Sequence, residues 1–119
     1  MAARPKGPYS PAVAFARLLF VSGQGARVPE TDRLSGPDIT TQTEQCLRNL
    51  ATILKAGGSD LQYVLRCGVF LTDMNDFDEM NAAYRRVFGD HMPARTTVQV
   101  SALPTVGMRV EIDCIAYVP

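Results

Sequence analysis

Two segments near the end of the sequence carry polar side chains at every second position, which is the spacing of one face of a β-strand. They are Arg95, Thr97 and Gln99, followed by Arg109, Glu111 and Asp113. An arginine on such a face could hold a small acid, because the planar guanidinium pairs with a carboxylate through two parallel hydrogen bonds. The same pattern also fits an ion pair across neighbouring strands, or a solvated sheet face with no further role. The residue types leave these three arrangements open.

A metal site is not expected from the available ligands. The chain has one histidine, His91, and three widely spaced cysteines, Cys46, Cys67 and Cys114. One histidine and no Cys-x-x-Cys pair give too few ligands for a zinc site. An odd number of separated cysteines favours reduced thiols that pack as small apolar side chains in a cytosol-like compartment.

The elements that must position the polar residues follow from periodicity and turn residues. An amphipathic helix is predicted over Ile39–Ala56, with Asp38 as its N-cap and Gly57-Gly58 at its end. Asn75 or Asp76 is expected to cap a second helix that runs through Phe88. Residues 1–8, rich in Pro and Gly, are typical of an N-terminal arm. Strands are predicted over Tyr9–Ala16, Leu18–Ser22, Tyr63–Thr72, Arg95–Ser101 and Met108–Val118, with room for one more within residues 25–37.

This order of elements predicts an α+β fold in a single domain over residues 1–119. Only two helices are available to cover a mixed sheet of five or six strands, so both are expected on one face. Leu103–Gly107 is expected to join the last two strands as a hairpin loop. Those strands would then be neighbours, with Arg95 and Glu111 both pointing away from the helix-packed core.

Composition and charge narrow the classes of function. The 119 residues include 12 Lys and Arg and 12 Asp and Glu, so the formal net charge is zero. A nucleic-acid partner is therefore not expected, since phosphate binding usually brings a basic excess. Near-zero net charge is compatible with self-association. The N-terminus opens no apolar run long enough for a signal peptide or a membrane span, and a cytoplasmic location without membrane contact is expected.

Six motifs together resemble the reactive intermediate deaminase family, also called the Rid or YjgF family. They follow in the same order and spacing along essentially the whole chain: GPYSPA (7–12), FVSGQ (20–24), FLTDMNDF (70–77), MNAAY (80–84), PARTTV (93–98) and VEID (110–113). The resemblance implies a chorismate-mutase-like fold. It also implies a homotrimer whose ligand clefts lie between subunits.

The same resemblance implies an activity and a set of site residues. Members of the deaminase branch hydrolyse 2-aminoacrylate and 2-iminobutanoate to 2-oxo acids and ammonia without a cofactor. Arg95 matches the arginine that binds the substrate carboxylate, and Glu111 matches the glutamate that positions or activates water. The matching pocket-lining positions are Tyr9, Ser22, Gly23 and Asn81. Thr97 stands where many members of this branch have Cys, which bears on substrate preference.

Three other functions are compatible with parts of the sequence. One is an endoribonuclease that inhibits translation, an activity reported for some relatives, although the neutral charge argues against it. Another is a non-catalytic or regulatory trimer that binds small carboxylates, for which Arg95 would serve equally well. The third is a related imine or carbamate-type hydrolase that uses the same site.

Overall fold

The computed structural model describes residues 4–119, so part of the predicted N-terminal arm, residues 1–3, lies outside the described residues. Residues 4–11 form bends without regular structure. The strands are β1 (Ala12–Phe15), β2 (Leu18–Gln24), β3 (Arg27–Val28), β4 (Arg33–Leu34), β5 (Val64–Leu71), β6 (Ala94–Gln99) and β7 (Val110–Tyr117). The helices are α1 (Ile39–Ala56) and α2 (Phe77–Phe88). The first strand is thus shorter than predicted, and the segment after β2 holds two short strands rather than one.

A five-stranded mixed sheet in the order β1-β2-β7-β5-β6 forms the centre of the fold. All neighbours are antiparallel except β5 and β6, which are parallel. Both helices pack on one face, as the count of helices predicts. Their apolar stripes meet the sheet in a single core, to which α1 contributes Leu47, Leu50 and Leu54 and α2 contributes Met80 and Tyr84. All three cysteines are buried and unpaired, as predicted.

Helix α1 begins and ends where its sequence predicts. The Asp38 carboxylate accepts a hydrogen bond from the Thr41 backbone N–H at 2.9 Å, which satisfies one of the donors left free in the first turn. At the other end, Gly57 donates to the carbonyls of the last turn, and Gly58 takes a positive φ of 85°. That conformation is readily adopted by glycine.

The prediction of a hairpin between the last two strands is wrong. Strand β5 lies between β6 and β7, so Leu103–Gly107 crosses over β5 instead of linking neighbours. The reason is that β5, α2 and β6 form a β-α-β unit, in which the helix returns the chain to the end where β5 began. Strand β6 therefore pairs in parallel with β5 at the sheet edge.

The predicted orientation of Arg95 is also wrong, whereas that of Glu111 is right. Arg95 lies opposite Cys67, and Cys67 lies opposite Cys114, so all three side chains point to the helix-covered face. Glu111 is an odd number of positions from Cys114 and therefore points to the open face. Alternation predicts which residues of a strand share a face, but it does not predict which face the helices cover. In β6 the polar residues Arg95 and Thr97 are on the helix-covered face.

Candidate active site

The first part of the site is a pocket at the edge of the sheet, between α2 and the start of β6. We call it the Arg95 pocket; it is lined by Asn81, Tyr84, Arg85, Met92, Pro93 and Arg95. Its volume of about 230 Å³ is below the ~300–1,000 Å³ of sites that take drug-sized molecules. The pocket is therefore suited to a small ligand.

The guanidinium of Arg95 is held in place by neutral groups. One of its nitrogens donates to the Asn81 amide oxygen at 2.7 Å, and another lies 4.0 Å from the Met80 sulfur. Its central carbon lies 4.8 Å from the centre of the Tyr84 ring and 5.8 Å from that of Phe77. Aromatic faces attract a cation without neutralising it. The Arg95 side chain is thus oriented before any ligand arrives.

The charge of Arg95 has no carboxylate partner within residues 4–119. Arg95 is half-buried, and a half-buried cation is stabilised far better by an anion than by neutral dipoles. The geometry therefore favours binding of a small anion in the Arg95 pocket. The Asn81 amide and the Tyr84 and Phe77 rings orient the guanidinium, which can then pair with a planar carboxylate.

Tyr84 has a second unusual property besides its contact with Arg95. Burial, and after it the nearby Cys67 thiol, raise the pKa of the Tyr84 hydroxyl. The contact with Cys67 falls short of hydrogen-bond geometry, and no other group in the described part of the chain satisfies this hydroxyl. A buried polar group without a partner costs roughly 1–3 kcal/mol. Tyr84 therefore contributes to the site through its ring, which contacts Arg95, and not through its hydroxyl.

The second part of the site is a narrow pocket around the Glu111 carboxylate, where β2 ends and β7 begins. We call it the Glu111 pocket; its lining includes Tyr9, Gly23, Asn49 and Met108. Strand β2 shifts register against β7 between Val21 and Gln24, which is a β-bulge. Bulges re-aim side chains and are frequent beside active sites. Here the bulge places Gly23 against Glu111.

Gly23 is required by the position of the Glu111 side chain. A Cβ atom built on Gly23 would lie 2.5 Å from a carboxylate oxygen of Glu111 and 2.8 Å from its carboxyl carbon. Ordinary contacts start near 3.4 Å. Any side chain at this position must therefore displace the carboxylate.

The environment of Glu111 makes it a stronger base than a solvated glutamate. Burial raises the pKa of the Glu111 carboxyl, and the negative charge of Asp113 on the same face raises it further. Asp113 itself accepts a hydrogen bond from the Gly68 backbone N–H at 2.9 Å. Glu111 makes no ion pair within residues 4–119. Its carboxylate is thus open to a water or a ligand.

The remaining residues predicted from the sequence lie near one pocket or the other. The Tyr9 ring is half-exposed in the Glu111 pocket. The Ser22 hydroxyl donates to the Ser10 carbonyl at 2.6 Å, so it fastens the segment that carries Tyr9 and does not itself line the pocket. Thr97 points to the same face as Arg95, two positions further along β6, and is half-buried outside the pocket lining.

Buried amides of α1 support the Glu111 pocket, and the sequence interpretation missed them. The Asn49 amide donates to the carbonyls of Gly25 and Arg27, at 3.0 and 2.8 Å. The Gln42 amide donates to the Gly107 carbonyl and accepts from the Arg109 N–H. These contacts fix the chain after the bulge and the start of β7. In the sequence, the feature that indicates these contacts is the spacing of Gln42, Gln45 and Asn49, which places three amides on one face of α1.

The two pockets share no lining residue within residues 4–119, and Arg95 and Glu111 point to opposite faces of the sheet. Asn81 and Arg95 belong to one pocket, and Tyr9, Gly23 and Glu111 to the other. One chain therefore does not bring the predicted residues together around a single ligand. Each pocket supplies one kind of chemistry, anion binding at Arg95 and a carboxylate base at Glu111.

Comparison with known proteins places this fold and these residues in a family. The model of the family described as Endoribonuclease L-PSP matches residues 1–118, and the chain belongs to this family, which confirms the resemblance to YjgF proteins. A RutC family protein of Pyrococcus horikoshii is 44% identical, over 98% of this chain and 91% of that protein. The 2-iminobutanoate/2-iminopropanoate deaminase of Mus musculus is 44% identical, over 92% of this chain and 81% of that protein. The crystal structure of E. coli TdcF with bound serine superposes with a TM-score of 0.91 at 34% identity, covering 98% of this chain and 92% of that one.

The helices were also compared with the requirements of a membrane span. Within residues 4–119, neither helix combines the length and the apolar character that crossing a bilayer requires.

Proposed function

We propose that this protein hydrolyses small reactive imines and enamines, such as 2-iminobutanoate and 2-aminoacrylate, to 2-oxo acids and ammonia. The observation that carries the proposal is the half-buried Arg95 guanidinium, which is oriented by Asn81 and Tyr84 and has no carboxylate partner in the described residues. A relative that is 44% identical bears the name of this activity. In another relative the bound molecule is serine, a small acid of similar size.

The reactive site forms between subunits of a cyclic homotrimer. In a cyclic assembly each contact joins two different surfaces of the chain, and the ring closes with identical contacts. The face with the Arg95 pocket of one subunit would then meet the face with the Glu111 pocket of the next. This arrangement supplies both groups to one ligand, which a single chain does not.

Exposed apolar side chains on the open face support the assembly. Val13, Phe20 and Val98 are 59%, 42% and 40% exposed, and all three point away from the helices. Val13 and Phe20 lie opposite each other on β1 and β2, and neighbouring exposed apolar side chains of this kind mark contacts between proteins. Burying it between subunits would also cover the sheet face that the two helices leave open.

The chemical steps need only Arg95, Glu111 and water. Arg95 binds the substrate carboxylate and so fixes the position of the adjacent imine carbon. Glu111 accepts a proton from a water molecule while the water oxygen bonds to that carbon and the C=N double bond becomes single. The nitrogen takes up both protons of the water, one returned by Glu111 and one lost by the new hydroxyl; the C–N bond then breaks, ammonia leaves and the hydroxyl oxygen becomes the carbonyl of the 2-oxo acid. Since imines hydrolyse readily in water, positioning can supply most of the acceleration.

The test is release of ammonia and 2-oxobutanoate in the presence of threonine dehydratase, which produces the imine from threonine. Added protein should accelerate release, and Arg95→Ala should abolish most of the acceleration. Arg86→Ala is the matched control, because Arg86 pairs with Glu44 on the outer surface at 3.4 Å. Calorimetric binding of 2-oxobutanoate without any acceleration by the wild type would show a carboxylate-binding protein instead. Cleavage of RNA at a higher efficiency than imine hydrolysis would favour the endoribonuclease.

A further inference from the structure

A second arginine lines the Arg95 pocket. Arg85 and Asn81 are four residues apart on α2, so their side chains lie on the same face of the helix, one turn apart. Asn81 holds the Arg95 guanidinium at 2.7 Å, and Arg85 lines the pocket from the next turn. Two arginine side chains therefore border one small cavity.

The charges in this cavity are not balanced. Among residues 4–119, its lining contains two arginines and no carboxylate, although the whole chain has a formal net charge of zero. Arg85 forms no ion pair with any acid of residues 4–119, whereas its neighbour Arg86 pairs with Glu44. Like charges that converge without a counter-ion create a positive potential, which favours a ligand with more than one negative charge.

Apart from Asn81, the rest of the pocket lining is mostly apolar. Tyr84, Met92 and Pro93 complete the lining together with Asn81, and Met92 is half-exposed. Such a surface suits a short methylene chain that carries an acid group at each end. The volume of about 230 Å³ leaves room for a small diacid.

From these observations we propose that Arg85 binds a second carboxylate, so that the pocket accepts 2-imino and 2-oxo acids whose side chain ends in a carboxylate. The proposal rests on the function proposed above, because Arg95 holds the carboxylate next to the reacting carbon. Arg85 then determines specificity at the far end of the ligand. Arg95 is fixed by its contacts, while the exposed Arg85 side chain can adjust to chain length.

The position of Arg85 in the last turn of α2 gives it a second possible role, the stabilisation of the helix C-terminus by a positive charge. Arg86 occupies the same turn and would have the same effect. The two arginines therefore form a matched pair, since only Arg85 lines the pocket. A role confined to the helix terminus would affect the melting temperatures of both variants alike, without any effect on ligand preference.

Isothermal titration of the full-length protein with 2-oxoglutarate and with 2-oxobutanoate tests this proposal. The wild type should bind the diacid more tightly, by about fivefold, which corresponds to ~1 kcal/mol for an exposed ion pair. Arg85→Gln should remove that preference, because it should weaken binding of the diacid more than binding of 2-oxobutanoate, whereas Arg86→Gln should leave the preference as in the wild type. An equal loss for both ligands in Arg85→Gln, or no loss for the diacid, would overturn the proposal.

The same titrations separate this inference from the proposed function. If Arg95→Ala binds 2-oxobutanoate as the wild type does, the carboxylate site at Arg95 is wrong and the diacid proposal fails with it. If Arg95→Ala abolishes binding of both acids and Arg85→Gln has no effect, the function stands and only the role of Arg85 is refuted.

Discussion

Gly23→Ala tests how Glu111 is positioned, because the new methyl group would meet the carboxylate directly. The added Cβ would lie 2.5 Å from the nearest carboxylate oxygen, and ordinary contact starts near 3.4 Å. The carboxylate must therefore move by about 0.9 Å, and a displacement of this size can cost ~100-fold in rate when it moves a catalytic group. We expect kcat/KM for imine hydrolysis to fall by about two orders of magnitude.

The stability of the variant should not fall with its activity. Gly23 has no positive φ, so alanine is compatible with the backbone, and the clashing group is the end of a flexible side chain. Replacing glycine at such a position tends to stabilise by ~0.4–1 kcal/mol, since the unfolded chain loses freedom. The melting temperature of Gly23→Ala should therefore be equal to that of the wild type or slightly higher.

A double-mutant cycle shows whether the loss of kcat/KM in Gly23→Ala is caused by displacement of Glu111. In the Glu111→Gln background the base is already absent, so Gly23→Ala should add little further loss. The coupled dehydratase assay gives kcat/KM for the four proteins, and light scattering checks that their oligomeric state is unchanged. Activity of Gly23→Ala within twofold of the wild type, or losses that simply add in the double mutant, would show that Gly23 does not position the Glu111 carboxylate for catalysis.

Four further predictions concern the two pockets. Arg95→Ala should lower kcat/KM by about tenfold to several hundredfold, from roughly 1.5–3 kcal/mol per charged hydrogen bond, and Arg95→Lys should restore part of the loss in the same assay. Tyr84→Phe keeps the ring and removes an unsatisfied hydroxyl, so it should raise the melting temperature and keep KM, whereas Tyr84→Leu should raise KM by up to about tenfold through the lost cation–π contact. Because Glu111 acts as a base only when deprotonated and its pKa is raised, the rate should fall on acidification at a higher pH than for an ordinary glutamate, and Asp113→Asn should move this acidic limb of the pH profile to lower pH. Thr97→Cys should change the relative rates on several imino acids while activity remains measurable; identical relative rates would exclude Thr97 from the site.

The helices were predictable from the sequence because their signals are local. The spacing of Leu47, Leu50 and Leu54 and the Asp38 cap define α1 without reference to the rest of the chain. The order of the strands was not predictable in this way. Leu103–Gly107 has the composition of a hairpin loop, and nothing within it reveals that β5 lies between the strands it connects.

The same distinction applies to the site. The motifs selected Arg95 and Glu111, but alternation along β6 did not reveal that Arg95 faces the helices. That orientation depends on Asn81 and Tyr84, which lie on α2 and whose contacts with Arg95 are set by packing. Apart from the glycine itself, the sequence around Gly23 does not indicate the β-bulge. The need for glycine there comes from contact with Glu111, which lies nearly ninety positions later in the chain.

In the proposed trimer, Arg95 of one subunit and Glu111 of its neighbour act on the same substrate. Mixing Arg95→Ala and Glu111→Gln subunits tests this directly, by unfolding and refolding them together at equal amounts. Each protein alone should be nearly inactive, whereas random mixed trimers should recover about a quarter of wild-type activity, the fraction of subunit contacts that join an intact Arg95 to an intact Glu111. The dehydratase assay measures the recovery, and native mass spectrometry confirms that mixed trimers have formed. Mixed trimers that stay as inactive as either parent would show that the two residues do not act together across a subunit contact.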